Sequence, residues 1–143
     1  FEGTKLWTEN QLLKQSDRIL FFVSDEKGNL IGHVGLFRFD YHNRACELDN
    51  IIRGVEGCGK GLMTLACQKI IEFAKDILQV QDIYLRVFSD NEPALKLYRN
   101  IGFEEIIRSP LRKEEKEGNI FWKEVISDPY FSVEKYFVTM KLK

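Results

Sequence analysis

Asn50-Ile-Ile-Arg-Gly54-Val-Glu-Gly57-Cys-Gly59-Lys-Gly61-Leu-Met63 decides how the rest of the chain is read. A β-branched run ends in four glycines, and an apolar pattern starts directly after them. Leu62, Met63, Ala66, Ile70, Phe73, Ala74 and Ile77 recur at spacings of three and four, which predicts a helix with one apolar stripe. A glycine loop at such a point brings bare backbone N–H groups to a helix N-terminus, where the dipole favours anions. Gly54 to Lys60 also fits the G-x4-G-K spacing of a nucleotide-binding loop, but Gly61 stands where a Ser or Thr would hold Mg²⁺. Such a domain would also need more parallel strands after the loop than this chain provides. A third reading is a tight turn, for which four glycines in eight positions are more than the geometry asks. The expectation is a cradle for phosphate or pyrophosphate.

Upstream of the loop the pattern is β. Ile19–Ser24 is a compact apolar strand, Gly28 and Asn29 supply turn chemistry, and Leu30–Phe39 reads as its hairpin partner. A turn at Tyr41–Arg44 and a third strand, Ala45–Ile52, complete a meander. Leu6–Ser16 is read as a helix or the remnant of one. Downstream, Ile83–Phe88 alternates as a strand. Ser89, Asp90 and Asn91 offer capping side chains, Pro93 suits a first turn, and a short helix ends at Gly102. Phe103–Ile107 is a strand, Lys113–Glu117 a solvated hairpin tip, and Tyr136–Leu142 the last strand. The order β-β-β-α-β-α-β-β predicts an α+β fold with a mixed, mostly antiparallel sheet flanked by helices. Without an internal repeat or linker, residues 1–143 read as a single domain.

Composition removes whole classes of function. Against 21 Lys+Arg stand 22 Asp+Glu, a net charge of −1, which argues against nucleic acid or an anionic membrane as partner. The apolar run Ile19–Val23 is far shorter than the roughly 20 residues a bilayer span needs. Three cysteines, Cys46, Cys58 and Cys67, suit a reducing cytoplasm better than a disulfide framework. Two scattered histidines and no paired cysteines predict no metal site. His33 on a central strand reads as structural and His42 in a turn as solvated. Phe121, Trp122, Tyr130 and Phe131 read first as core beneath the hairpin, with an acceptor wall or a dimer contact as the other readings.

The segment Ser89-Asp-Asn91-Glu-Pro-Ala94-Leu-Lys-Leu97-Tyr98-Arg-Asn-Ile-Gly102-Phe103 sharpens the reading. Together with Gly57-Cys-Gly59-Lys-Gly61-Leu-Met63 upstream, it resembles the GNAT superfamily of acyl-CoA-dependent N-acetyltransferases. The resemblance implies that acetyl-CoA is the cosubstrate, with no metal. It implies that backbone groups of Asn50, Ile51 and Ile52 hold the pantetheine arm, and that amides of Gly57, Cys58, Gly59, Lys60 and Gly61 hold the pyrophosphate. Asn91 matches the family's asparagine that contacts the cofactor, and Tyr98 the tyrosine that faces the sulfur. The family's usual Gln or Arg three residues before the first G-x-G glycine is Gly54 here, so Arg53 is the candidate replacement. Family members also begin with a strand and helix before the segment resembling Leu6–Ser16. With Phe1 in place of Met, a slightly truncated domain is expected.

Acetyl transfer needs a deprotonated amine and a proton for the leaving thiolate. Tyr98 is the candidate acid, its other reading being a packed aromatic on a helix face. Glu47 and Asp49 are the candidate bases, because strand period two puts both on one face; an exposed acidic face or attraction of a cationic amine are equal readings. Cys58 has no task in direct attack. The leading expectation is an N-acetyltransferase for a small-molecule primary amine of amino-sugar or amino-acid type, cytoplasmic, as monomer or homodimer. A non-catalytic acyl-CoA-binding or regulatory domain and a protein or peptide N-acetyltransferase are the alternatives.

Overall fold

The computed structural model describes residues 17–54, 61–126 and 132–143, with only the backbone of Asn50. These residues form two compact units, the first ending at Gln81 and the second starting at Asp82.

The first unit is an antiparallel meander with one helix: β1 (Ile19–Ser24), β2 (Leu30–Asp40), β3 (Ala45–Arg53) and α1 (Leu62–Asp76). The predicted turns hold. Asp25 accepts hydrogen bonds from the amides of Lys27 and Asn29 at 2.9 and 2.8 Å, beside Gly28 at φ +84. Asp40 closes the second turn by accepting from the Asn43 amide at 3.0 Å. Alternation then sorts the strands into two faces. Val34, Leu36, Cys46 and Leu48 are buried, and α1 buries Cys67, Ile70, Ile71 and Ala74. The Phe21 and Phe73 rings meet edge to face at 5.3 Å. Burial pushes the Cys46 and Cys67 thiols up to about 11, with the Glu47 charge adding to the rise at Cys46.

The second unit comprises β4 (Asp82–Phe88), α2 (Glu92–Ile101), β5 (Phe103–Lys116), β6 (Asn119–Glu124) and β7 (Lys135–Leu142). Its strands pair antiparallel in the order β4-β7-β5-β6. Ile83, Leu85 and Val87 alternate inward, and Leu95 and Tyr98 of α2 are buried with Phe103 and Leu111. Two sequence expectations need correction. The strand read as Phe103–Ile107 runs on to Lys116, and β6 adds a strand to the predicted order; the expected hairpin turns through Glu117 and Gly118 at φ +53 and +76, the two-residue geometry that matches strand twist. Phe121, expected in the core, is 49% exposed, because among the described residues β6 has a strand neighbour on one side only. Trp122 lies 4.1 Å from the Lys135 ammonium; Tyr130 and Phe131 fall outside the described residues, as does Leu6–Ser16.

Candidate functional site

β3 carries the first part of the candidate set, and its register explains its shape. Gly35 faces Asp49, but His33 faces Ile52, so β3 holds one residue more than β2 between these pairs. This is a β-bulge, which breaks the ladder and re-aims the strand. The bulge covers Asn50 and Ile51, in the segment where strand-like pantetheine contacts are expected. Gly32 permits it: a Cβ there would lie 2.1 Å from the Ile52 carbonyl oxygen. Gly32 escaped the sequence reading, although a glycine inside a strand signals a bulge or close backbone approach. Beyond Arg53, the Gly54 amide donates to the Ile31 carbonyl at 2.7 Å, keeping the strand's end attached to β2.

Glu47 and Asp49 share one face as predicted, alternating with buried Cys46 and Leu48. Arg38 Nη1 lies 3.3 Å from Glu47 Oε1, and Arg18 Nη2 lies 3.4 Å from Asp49 Oδ2. Burial lifts the Glu47 carboxyl above its ordinary range; the Arg38 guanidinium opposes that rise and the Asp49 charge adds to it. A carboxyl raised in this way is better suited to proton exchange near neutrality than a solvated one. Sequence reasoning missed both arginines, because partners 31 and 9 residues away leave no local signal.

At the far end of the loop, Gly61 starts α1 at φ +86, a left-handed conformation that favours glycine. A Cβ at Gly61 would meet nothing within 4 Å, so conformation rather than space selects this residue. Gly61 has no side chain to cap the helix, and the first turn of α1 holds no acid. Gly57, Cys58, Gly59 and Lys60 lie outside the described residues.

The second unit carries Asn91 and Tyr98, seven residues apart and so on one side of α2. Asn91 is the N-cap of α2, its Oδ1 accepting from the Ala94 amide at 3.3 Å. Tyr98 is buried against Phe103, ring centroids 6.3 Å apart. Gly102 closes the helix at φ +117, its amide donating to the Tyr98 and Arg99 carbonyls at 3.2 and 3.1 Å, as the sequence predicts. His33 is half-buried beside Phe22, and His42 is exposed. Among the described residues no three His, Cys, Asp or Glu side chains gather as a metal group, and no helix is long and apolar enough to cross a membrane. A cavity of about 300 Å³ in the first unit, walled by Arg18, Ile19, Phe39, Tyr41 and Leu78, touches none of the sequence-predicted site residues.

The chain is similar to known proteins. The family model described as an acetyltransferase (GNAT) domain matches residues 2–104. The spermidine N(1)-acetyltransferase of Vibrio cholerae is 30% identical over 118 residues, covering 82% of this chain and 61% of that protein. The Escherichia coli K12 enzyme of the same name is 34% identical over 82 residues, covering 57% of this chain and 44% of the relative. The chain thus spans about three fifths or less of these relatives' length. The crystal structure of the Vibrio cholerae spermidine N-acetyltransferase in complex with CoA and spermine superposes with a TM-score of 0.69 at 24% identity, over 99% of this chain and 73% of that one. That likeness supports the fold.

Proposed function

The chain belongs to the GNAT acetyltransferase family, and from that premise we propose that it transfers the acetyl group of acetyl-CoA to the amine of a small molecule. The carrying observation is that the family match runs from residue 2 to 104, through both the glycine loop and the Asn91–Tyr98 segment. The same span supports reading residues 1–143 as one acetyltransferase-like domain. Polyamines are the acceptor class to test first, since the relatives above are spermidine acetyltransferases; amino sugars and amino acids come next. A reducing cytoplasm is the compartment that suits the cosubstrate and the unpaired thiols.

In this reading the amine nitrogen attacks the thioester carbonyl, a C–N bond forms, the C–S bond breaks, and the amine's proton is lost as the thiolate gains one. Tyr98 donates to the thiolate. Glu47 or Asp49 takes the amine proton or draws in the ammonium form. The bulged stretch Asn50–Ile52 offers backbone groups to the pantetheine arm, while Arg53, the Gly57–Gly61 amides and Asn91 hold the remainder of the cosubstrate. The left-handed, uncapped start of α1 suits an anion. Acetyl-CoA acts here as a substrate, and no metal has a step to perform.

The test is titration calorimetry with acetyl-CoA, followed by thiol release with spermidine, spermine, an amino sugar and an amino-acid panel. Tyr98→Phe should lower kcat by about 10²-fold or more, the usual scale for a lost general acid, with acetyl-CoA affinity unchanged. Full turnover in that variant removes Tyr98 from the chemistry. Binding of acetyl-CoA with no acetylation across the panel would favour the non-catalytic acyl-CoA-binding domain instead.

A further inference from the structure

The two β3 carboxylates are not simply an acidic face. Each is paired to an arginine from outside β3, and both arginines lie against one ring. The Arg18 guanidinium carbon sits 4.6 Å from the Phe37 centroid and that of Arg38 5.1 Å. Phe37 is itself the cross-strand partner of Glu47. Arg38 reaches this place through a second irregularity: it has φ +49, in a stretch where β2 spends one residue more than β3 between Phe37 and Asp40. Arg18 is more constrained still. Its side chain is 7% exposed, its Nε has no hydrogen-bond partner among the described residues, and Asp49 takes its Nη2.

Stability alone is a poor account of this arrangement. The Arg38–Glu47 and Arg18–Asp49 contacts are 3.3 and 3.4 Å long, and one partner of each is open to solvent, Arg38 at 51% and Asp49 at 37%, where an ion pair adds little stability. A stacked guanidinium does something else well: its plane is fixed by the ring, so the carboxylate it binds is fixed too.

We propose that Arg18 and Arg38, seated on Phe37, are positioning residues that fix Asp49 and Glu47 for the amine acceptor and balance their charge. The proposal rests on the acetyl-transfer reading above, and adds Arg18, just before β1, and Phe37 and Arg38 of β2 to the β3 carboxylates. The charged groups facing Glu47 include Arg38 from β2, Asp49 on its own strand, and Arg18, just before β1, through Asp49. His33 lies farther along the same face, opposite Ile52. Removing Arg38 takes away a charge that works against burial and Asp49 at Glu47, so the carboxyl holds its proton to higher pH.

The experiment measures kcat/KM against pH for the whole chain, Arg38→Gln and Arg38→Lys, alongside ¹³C NMR titration of the Glu47 carboxyl and calorimetry with acetyl-CoA. Arg38→Gln should move the acid limb and the Glu47 titration together, both to higher pH. Arg38→Lys should recover most of the shift, and acetyl-CoA affinity should stay within about twofold in all three proteins. Phe37→Leu, which keeps an apolar residue but loses the ring, should lower kcat/KM without changing acetyl-CoA affinity. A limb that stays in place overturns the proposal, whether or not the NMR titration moves. A parent chain that binds no acetyl-CoA overturns the acetyl-transfer reading and this assignment with it, a failure visible before any variant is compared.

Discussion

The chain passes from strand to helix twice, and the two passages are built in opposite ways. From β4 to α2 every loose end is tied. β4 keeps an unbroken register with β7 from Tyr84 to Phe88. The Ser89 amide donates to the Tyr136 carbonyl, and the Ser89 hydroxyl accepts from the Tyr136 amide, both at 2.9 Å. Asn91 then caps the helix and Glu92 puts an acid in its first turn, each of which satisfies or complements the exposed N–H groups. From β3 to α1 the register slips, Gly32 and Ile52 come into close backbone approach, and the helix opens on a left-handed glycine with no acid behind it. The finished passage holds side chains in place. At its described ends the other has neither a side-chain cap nor a first-turn acid.

That contrast can be broken at its sharpest point. Gly32→Val puts a branched side chain where even a Cβ would lie 2.1 Å from the Ile52 carbonyl oxygen. A core overpacked in this way loses about 1–3 kcal/mol, occasionally more, and the bulge should be lost with it. Urea denaturation should show the loss and calorimetry the disappearance of acetyl-CoA binding. A variant of unchanged stability and affinity would mean the bulge is incidental.

Asn91→Ala probes the finished passage. Loss of the cap should cost about 1 kcal/mol in urea denaturation, and Asn91→Asp should recover it, since a carboxylate both accepts the hydrogen bond and complements the dipole. If Asn91→Ala also weakens acetyl-CoA binding while Asn91→Asp does not restore it, the side chain touches the cosubstrate as well as the helix.

The smallest expected effect distinguishes the two helix starts by sign. Leu65, 52% exposed in the first turn of α1, can be changed to Glu. An acid there should stabilise the helix by about 0.3–1 kcal/mol yet weaken an anionic ligand at the same terminus, more so at low salt. Stability rising while affinity falls is the signature of a start kept open for an anion. Both quantities rising would leave α1 no different from α2.

Much of this could be read from the sequence because it depends on local chemistry. Asp25 with Gly28, Asn91 with Pro93, and Gly102 each act within a few residues, and alternation alone puts Glu47 and Asp49 on one face. What could not be read depends on register. Gly32 and Gly35 look alike in sequence, yet at Gly35 the nearest atom to an added Cβ is 3.3 Å away, against 2.1 Å at Gly32. The arginine pairs required knowing that Ile19 faces Leu36 and Gly35 faces Asp49. Phe121 was misplaced because an aromatic residue reports hydrophobicity, not whether a neighbouring element covers it.

The distribution of cysteine offers a use beyond chemistry. All three cysteines precede Gln81, so the second unit has no thiol. Cys46 and Cys67 are fully buried and pushed up to about 11, which makes them unreactive until their surroundings open. In a Cys58→Ser background, the rate at which an alkylating reagent modifies them becomes a clock for the opening of the meander and its helix alone. Run with and without acetyl-CoA, that clock would report how far a ligand slows the breathing of one unit, with the other silent by composition.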